Sequence, residues 1–220
     1  MFITFEGPDG SGKSTQITLL SDYLQAQGRR VYRTREPGGT PIGDQIRDVL
    51  HDVSNTEMRA VTEILLYSAS RAQLVAQVIK PMLAEGRIVL CDRYADSAYA
   101  YQGYGRQLDM AMLQSITQFA TQTLKPDLTI YLDLPVEDGL MRKRKANDAG
   151  EGELNRMDRQ TRDFYERVRQ GYLQMAQAEA ERWTVIDARQ SVEQIQREIC
   201  AAVSKLKPPT ADRRPPTADC

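Results

Sequence analysis

The octapeptide Gly7-Pro8-Asp9-Gly10-Ser11-Gly12-Lys13-Ser14 decides the fold of this chain, because it matches the pattern G-x-x-x-x-G-K-[ST]. That pattern is informative only when a strand precedes it and a helix follows it. Here the apolar run Phe2–Phe5 comes before it, and Ile17, Leu20 and Leu24 recur at helical spacing after it. The octapeptide is therefore predicted to be a phosphate-binding loop between a strand and a helix.

The chemistry of this loop follows from its residue types. Its glycines let backbone N–H groups turn inward, and the new helix adds the positive end of its dipole. Lys13 is placed to reach the β- and γ-phosphates of a nucleotide, and Ser14 to offer its hydroxyl to Mg²⁺. The residues predicted to hold the nucleotide phosphates are Gly7, Pro8, Asp9, Gly10, Ser11, Gly12, Lys13, Ser14 and Thr15.

Strand and helix patterns alternate outward from the loop. The predicted strands are Phe2–Phe5, Arg30–Thr34, Ile88–Cys91, Leu128–Leu132 and Thr184–Ile186, with segments of helical periodicity between them. Asp109 and Ser191 are predicted helix N-caps. This alternation predicts an α/β fold, in which a parallel sheet is flanked by helices and binds ligands beyond the carboxyl ends of its strands.

Composition excludes several classes of protein. The chain has 220 residues, of which 41% are hydrophobic and 27% charged, so residues 1–206 are predicted to form one globular domain. No apolar run approaches the ~20 residues that span a bilayer, and no secretory signal is visible, so a cytoplasmic protein with no membrane partner is expected. A net charge of −1 argues against a nucleic-acid partner.

Cysteine and histidine usage narrows the chemistry further. The three cysteines are far apart and there is one histidine, His51, which is expected on the solvated side of a helix. Neither a zinc site nor a histidine-activated nucleophile is therefore expected. Cys91 is predicted to be buried. Segment 207–220 contains PPTAD twice and is predicted to be a flexible tail.

The third predicted strand ends in Asp92-Arg93-Tyr94. An acid at this edge suits Mg²⁺ or its water shell, and the arginine after it suits a phosphate oxygen. The chain lacks both the Asn-Lys-x-Asp motif of GTPases and the Ser-Gly-Gly-Gln signature of ABC-type ATPases. Among nucleotide-binding proteins of this size, these features favour the small-molecule kinases.

Four motifs together resemble the bacterial thymidylate kinase family. They are GPDGSGKS at 7–14, REPGGT at 35–40, DRY followed by SAYAYQG at 92–103, and PDLTIYLDL at 126–134. The resemblance implies transfer of the γ-phosphoryl group of ATP to dTMP with Mg²⁺. It also implies a homodimer and a three-layer fold whose five parallel strands lie in the order 2-3-1-4-5, with a lid.

The resemblance also implies an acceptor site for dTMP. It gives Asp9 a contact with the sugar 3′-hydroxyl or the metal shell, Arg93 the acceptor phosphate, and Tyr67 and Arg71 the base. Tyr67 stands where the family usually has phenylalanine. The implied acceptor-site residues are Asp9, Arg35, Tyr67, Arg71, Arg93, Ser97, Tyr101 and Gln102.

A basic run, Arg142 to Lys145, lies at the end of a predicted helix that starts near Pro135. A run of this kind is commonly a solvated face. The resemblance instead implies a lid at about 142–157 that closes over ATP. In one subgroup of the family the phosphate loop lacks an arginine and the lid supplies the catalytic cations. That pattern makes Arg144 and Arg156 catalytic candidates beside Lys13 and Arg93, and places Arg142 nearer the adenine.

Two other functions remain open at this point. A deoxynucleoside kinase would phosphorylate a hydroxyl group and needs a general base, for which Glu36 is a candidate. A nucleotide-binding regulator would bind ATP without transferring phosphate. Transfer to dTMP needs no strong base, because a phosphate monoester with a second pKa near ~6 is mostly dianionic at neutral pH.

Overall fold

Buried β-branched and aromatic residues build a single parallel sheet in the computed structural model, which describes residues 1–150 and 156–206. The strand order is β2-β3-β1-β4-β5, as predicted. Each predicted strand is confirmed to within one residue at each end. The strands are β1 (Phe2–Glu6), β2 (Val31–Arg35), β3 (Ile88–Asp92), β4 (Leu128–Asp133) and β5 (Trp183–Asp187).

Helices connect the strands, and their caps agree with the sequence. Asp109 accepts a hydrogen bond from the Met112 N–H at 2.7 Å, and Ser191 forms a capping box with Gln194. The α-helices in the described part of the chain are α1 (Lys13–Ala26), α2 (Pro41–His51), α3 (Ala60–Leu74), α4 (Lys80–Ala84), α5 (Ala95–Ala98), α6 (Met110–Thr121), α7 (Val136–Asp148), α8 (Arg162–Ala178) and α9 (Val192–Ser204).

Two π-helical segments interrupt the helical regions. Val75–Ile79 joins α3 to α4, and Tyr99–Gly105 continues α5. A π-helical turn is wider than an α-turn and is often found at functional sites. The second segment follows Asp92-Arg93-Tyr94 and carries two of the implied acceptor-site residues.

Helices cover both faces of the sheet, so the fold has three layers. On one face, Ile3, Phe5 and Leu90 pack with Leu20 of α1 and Ile199 of α9. The opposite face has two clusters. The first packs Phe2, Val89 and Cys91 against the end of α3 and the π-helical segment after it. The second packs Tyr131 and Trp183 against α8. Cys91 is fully buried, as predicted.

Strand register brings the functional segments to one edge of the sheet. In the parallel pairing, Phe5 of β1 and Arg35 of β2 both lie opposite Asp92 of β3. The loop after Glu6, the turn after Arg35 and the loop after Asp92 therefore leave the sheet at the same level. This edge is where a parallel sheet of this kind binds ligands.

The basic run lies on a helix. Residues 142–145 belong to α7, which continues to Asp148, whereas a loop was predicted to begin soon after the run. Residues Arg156–Arg159 form a short 3₁₀ helix before α8. Residues 151–155 of the predicted lid and the predicted tail at 207–220 lie outside the described residues, so lid and tail stay predictions.

Candidate active site

The loop after β1 has a backbone that only glycine fits well. Gly7 has φ +141°, and a Cβ atom there would come within 2.7 Å of the Leu132 carbonyl oxygen. The close approach of the backbone here lets the Lys13 side chain fold back against the loop. Its Nζ donates hydrogen bonds to the carbonyl oxygens of Gly7 at 3.1 Å and Pro8 at 3.0 Å. The ammonium group is thus buried against the loop that should bind phosphates.

Ser14 and Asp92 form a pair suited to a divalent cation. The Ser14 Oγ donates to Asp92 Oδ2 at 3.3 Å, and Asp92 Oδ1 is buried without a hydrogen-bond partner. Mg²⁺ prefers oxygen ligands and often uses one or two protein groups together with water and substrate phosphates. A hydroxyl and a carboxylate with an unpartnered oxygen, next to a phosphate loop, fit that requirement.

Asp9 links the phosphate loop to two cations. Its Oδ1 accepts from Arg93 Nη2 at 2.8 Å, and its Oδ2 accepts from Lys143 Nζ of α7 at 2.6 Å. Burial alone would raise the pKa of Asp9, but Arg93, Lys13 and Lys143 outweigh it and lower that pKa, so the carboxylate is ionised. Lys143 also pairs with Asp158 after the predicted lid.

Arg93 is held in an unusual conformation. Its φ of +65° is rare for a residue with a side chain, and such strain persists only where the surroundings enforce it. Its guanidinium lies 5.2 Å from the centre of the Tyr101 ring. One arm is bonded to Asp9, whereas Nη1 is buried without a partner. The residue can therefore donate to another group.

Arg71 forms a buried ion pair with Glu36. Arg71 Nε donates to Glu36 Oε2 at 2.8 Å, and Nη2 donates to the Tyr94 carbonyl oxygen at 3.2 Å. Arg71 Nη1 and Glu36 Oε1 are buried and have no hydrogen-bond partners. Burial raises the pKa of Glu36, although Arg71 opposes that rise. Glu36, the candidate general base for a deoxynucleoside kinase, is thus paired with an arginine.

Glu63 is the centre of a second buried cluster. It accepts hydrogen bonds from Gln102 Nε2 at 2.8 Å, Arg106 Nη2 at 3.0 Å and Arg156 Nη2 at 2.5 Å. Burial alone would raise the pKa of Glu63, but the hydrogen bonds from Arg106 and Gln102 outweigh it and lower that pKa. Arg156 also donates to the Leu50 carbonyl oxygen and is itself buried.

A third buried carboxylate, Glu6, supports the loop after β3. Its oxygens accept from the Tyr94 N–H at 2.9 Å, Ser97 Oγ at 2.6 Å and Tyr172 Oη at 2.7 Å. Burial and the neighbouring Asp96 raise the pKa of Glu6 to about 7, although Arg93, Ser97 and Tyr172 pull it down. Ser97 therefore has its hydroxyl bonded to Glu6.

One cavity of about 510 Å³ lies at the carboxyl edge of the sheet. Its volume lies within the range typical of small-molecule sites. Most of the predicted site residues line it, and they come from the phosphate loop and the start of α1, from the ends of β2 and β3, and from α3, α5, the π-helical segment after α5 and α7. These are Asp9, Gly10, Gly12, Lys13, Ser14, Thr15, Arg35, Tyr67, Arg71, Asp92, Arg93, Ser97, Tyr101, Gln102 and Arg142.

Other predicted residues do not line this cavity. Gly7 and Ser11 are buried within the phosphate loop, and Pro8 is half-buried and faces a smaller neighbouring pocket. Arg144 is exposed, and Arg156 is paired with Glu63. Arg142 lines the cavity and donates to the carbonyl oxygens of Gly10 and Ala188, which ties α7 to the phosphate loop and to the segment after β5. The rim residue Arg35 pairs with Asp44 at 3.3 Å.

Sequence reasoning missed several lining residues. His51 is half-buried and lines the cavity, contrary to the expected solvated position. Glu63, which is buried behind the lining and was also missed, could have been found because it precedes Tyr67 and Arg71 on the same face of α3 by four and eight residues. Glu36, named from the sequence only as a candidate base, also lines the cavity. The remaining lining residues outside the sequence-predicted set are Pro37, Arg47, His51, Ala98, Lys143, Met157 and Tyr165.

A phosphate loop, the Ser14–Asp92 pair that suits a divalent cation, and a second wall carrying Tyr67 and Arg71 share this cavity, an arrangement typical of a small-molecule kinase. A sequence model of the family described as Thymidylate kinase matches residues 5–199. Thymidylate kinases from Roseiflexus castenholzii and Trichlorobacter lovleyi are 52% and 49% identical to this chain. They cover 92% and 95% of it, and the chain covers 92% and 100% of them.

A solved structure leads to the same family. The crystal structure of thymidylate kinase from Ehrlichia chaffeensis superposes with a TM-score of 0.74 at 32% identity, over 93% of this chain and 98% of that one. The chain therefore belongs to the thymidylate kinase family. It is an enzyme of nucleotide biosynthesis that uses ATP to phosphorylate dTMP.

Proposed function

We propose that the γ-phosphoryl group of ATP passes to dTMP inside the cavity at the carboxyl edge of the sheet, on the residues described above. The proposal rests on one observation. The phosphate loop with Lys13, the Ser14–Asp92 pair and the Arg71–Gln102 wall face the same cavity. ATP would lie along the phosphate loop, and dTMP would lie between Arg93 and α3, with its base toward Tyr67.

The chemistry requires charge stabilisation more than proton transfer. The acceptor is a phosphate that is mostly dianionic at neutral pH, so two polyanions must be brought together and aligned. Lys13 would bind the transferred group, and the free Nη1 of Arg93 would hold the acceptor phosphate. Asp9 keeps the Arg93 guanidinium in place and stays ionised near the sugar.

Mg²⁺ would be held by Ser14 and Asp92. The unpartnered Oδ1 of Asp92 and the hydroxyl of Ser14 supply the oxygen ligands. When bound, the ion would neutralise charge on the phosphates of the donor. Asp9 is the third residue expected to contact its water shell.

The lid proposal concerns α7 and the 3₁₀ helix. Arg142 and Lys143 contact the phosphate loop through Gly10 and Asp9, and this supports a position for the basic run beside the donor phosphates when ATP is bound. Arg144 is the next residue and is exposed, so it is available to a closing lid. Arg156 would have to exchange Glu63 for a phosphate oxygen to take part in catalysis.

The enzyme is further proposed to act as a homodimer in the cytoplasm. Exposed apolar side chains lie on α3 and α6, two helices that pack against each other. Leu65 and Val61 of α3 are 52% and 49% exposed, and Phe119 of α6 is 89% exposed. We propose that these side chains form one apolar patch at the subunit interface. No helix in the described part of the chain is long and apolar enough to cross a membrane.

A coupled ADP-release assay tests the whole proposal. The purified chain is given ATP and Mg²⁺ with dTMP, dUMP, dCMP or thymidine as acceptor. Fastest release with dTMP supports the proposed site, whereas preference for thymidine supports a deoxynucleoside kinase. ADP release that no acceptor stimulates would support a regulator. Sedimentation of the wild type and Phe119→Glu tests the dimer.

A further inference from the structure

Glu63 lies in the same row of α3 as the residues proposed to hold the base. Glu63, Tyr67 and Arg71 are spaced four residues apart, so their side chains point to the same side of the helix. Tyr67 and Arg71 line the cavity, whereas Glu63 is fully buried behind Gln102. Glu63 therefore influences the cavity through the residues that it contacts.

The hydrogen bond from Gln102 to Glu63 determines how the Gln102 amide is turned. An ionised carboxylate can only accept hydrogen bonds, so the amide must present its NH₂ group to Glu63. The Nε2–Oε1 distance is 2.8 Å. Gln102 Oε1 accepts no hydrogen bond from the described residues, and Gln102 lines the cavity. The cavity is thus offered an acceptor at this position.

Two cations keep Glu63 in its accepting form. Arg156 Nη2 and Arg106 Nη2 donate to Glu63 Oε2, while Oε1 accepts from Gln102 Nε2 at 2.8 Å and from Arg106 Nε at 3.3 Å. Because the cations hold the carboxylate ionised, Glu63 has no proton to donate to Gln102. A reversed amide would place its carbonyl oxygen against this carboxylate, which is repulsive.

Arg71 supplies the complementary donor. Its Nε and Nη2 are bonded to Glu36 and the Tyr94 carbonyl oxygen, and Nη1 is buried without a partner. The wall therefore combines a donor on Arg71 with an acceptor on Gln102. A pyrimidine with a carbonyl at C4 and an N–H at N3 matches that pair. Cytosine has a donor at C4 and an acceptor at N3, which reverses both.

We infer that Glu63 is a positioning residue for base specificity: by fixing the Gln102 amide with its oxygen toward the cavity, it selects thymine or uracil over cytosine. This inference rests on the proposed function, because it assumes that the base lies against α3. Glu63 touches neither substrate and acts only through Gln102.

The test compares wild type with Glu63→Gln, using the ratio of kcat/KM for dTMP to that for dCMP. Glutamine can donate as well as accept, so it lets the Gln102 amide reverse and present its NH₂ group to the base. The ratio should fall by at least about tenfold, the effect of one mismatched buried hydrogen bond. For dTMP, the Glu63→Gln substitution should raise KM more than it lowers kcat.

Asp96→Asn is the matched control. Asp96 is also a buried carboxylate paired with an arginine, Arg182, but it does not line the cavity. Asp96→Asn should leave the ratio of kcat/KM for dTMP to that for dCMP within about twofold of wild type, whatever the substitution does to stability. A folded Glu63→Gln enzyme with the wild-type ratio would overturn the inference. A wild type that does not phosphorylate dTMP would instead refute the proposed function.

A second variant covers the case in which Glu63→Gln does not fold. Removing one partner of a buried ion pair is strongly destabilising, whereas replacing both is often neutral. Glu63→Gln with Arg106→Gln keeps the net charge of the cluster with Arg156 unchanged. Circular dichroism checks its fold, and the same fall in the ratio is expected. An unchanged ratio in this folded double variant would equally overturn the inference.

Discussion

The two walls of the cavity hold their cations in different ways. On the strand-edge wall, formed by Lys13, Asp92 and Arg93, Arg93 pairs with Asp9, but Lys13 is held by backbone carbonyl oxygens, which do not cancel its charge. On the helical wall, formed by Arg71 and Gln102 with Glu63 buried behind Gln102, the Arg71 guanidinium pairs with the buried carboxylate of Glu36. The first arrangement leaves positive charge for phosphates. The second cancels charge and leaves directional hydrogen bonds.

That difference indicates how one cavity can bind two kinds of chemical group. Phosphates are bound mainly by charge, whereas a base is recognised by the positions of its donors and acceptors. The strand-edge wall should therefore affect transfer to every acceptor, and the helical wall should affect the choice of acceptor. The following variants test this separation, beginning with the largest expected effect.

Lys13→Met should remove the central charge of the strand-edge wall. We expect kcat to fall by at least about 10²–10³-fold with any acceptor, because an electrostatic contact made in the transition state is lost. The coupled ADP-release assay measures this. Lys125→Met is the control, since Lys125 is exposed and lies before β4, at the opposite edge of the sheet. Substantial turnover by a clean Lys13→Met preparation would contradict the assignment.

Glu36→Gln with Arg71→Met should disable the helical wall alone. We expect the KM for dTMP to rise by about ten- to a hundredfold, since a buried donor to the base is lost. ATP affinity should change by no more than about twofold. Arg71→Met alone should also lower the free energy of unfolding by about 3–5 kcal/mol, because Glu36 is left buried and unpaired.

Urea denaturation separates these two effects of Arg71. The double variant should recover most of the stability that Arg71→Met loses, but none of the dTMP affinity. If ATP affinity collapses in the double variant, Arg71 belongs to the donor site and the two walls are not separate.

Arg144→Ala tests the predicted lid, which belongs to neither wall in this structure. We expect kcat to fall by about tenfold while the KM for dTMP changes little, as for a cation that acts only in the transition state. Arg197→Ala, an exposed arginine on α9, is the matched control. Full activity of Arg144→Ala combined with Arg156→Ala would reject catalysis by these two residues.

Glu6→Gln should have the smallest effect, which is visible in the pH dependence of stability. The pKa of Glu6 is about 7 in the folded chain and near 4.5 when exposed, so the folded state binds more protons between these values. Stability contributed by Glu6 is then present below pH 4.5 and lost as pH rises through about 7. Glu6→Gln should flatten the fall in Tm over that interval. Parallel profiles for the two proteins would argue against the raised pKa.

The sequence predicted the strand-edge wall well, because its features are local. The phosphate loop, Asp92 and Arg93 each follow directly from a strand end, and parallel strands bring their ends together. Three layers and the strand order are confirmed. The positions of the lid cations were harder to predict, because they depend on which way a helix faces. Successive residues on α7 point about 100° apart, so Lys143 reaches Asp9 while Arg144 does not line the cavity.

Partners distant in sequence explain the remaining differences. Arg156 is 93 residues from Glu63, and no local pattern indicates that a buried acid would pair with it. His51 is on a helix, as expected, but α2 places it beside the cavity. The roles of the individual site residues, the magnesium ion and the dimer remain predictions for the experiments above.

The π-helical segment Tyr99–Gly105 has a consequence for how this enzyme tolerates changes in chain length. Tyr101 and Gln102 both line the cavity from this widened turn. Deleting one residue before them would favour an ordinary α-turn and rotate both side chains by about 100° around the helix axis. Gln102 would then leave Glu63, although no functional side chain had been removed. Here the number of residues matters as much as their identity, so an insertion or deletion should be more damaging than most single substitutions.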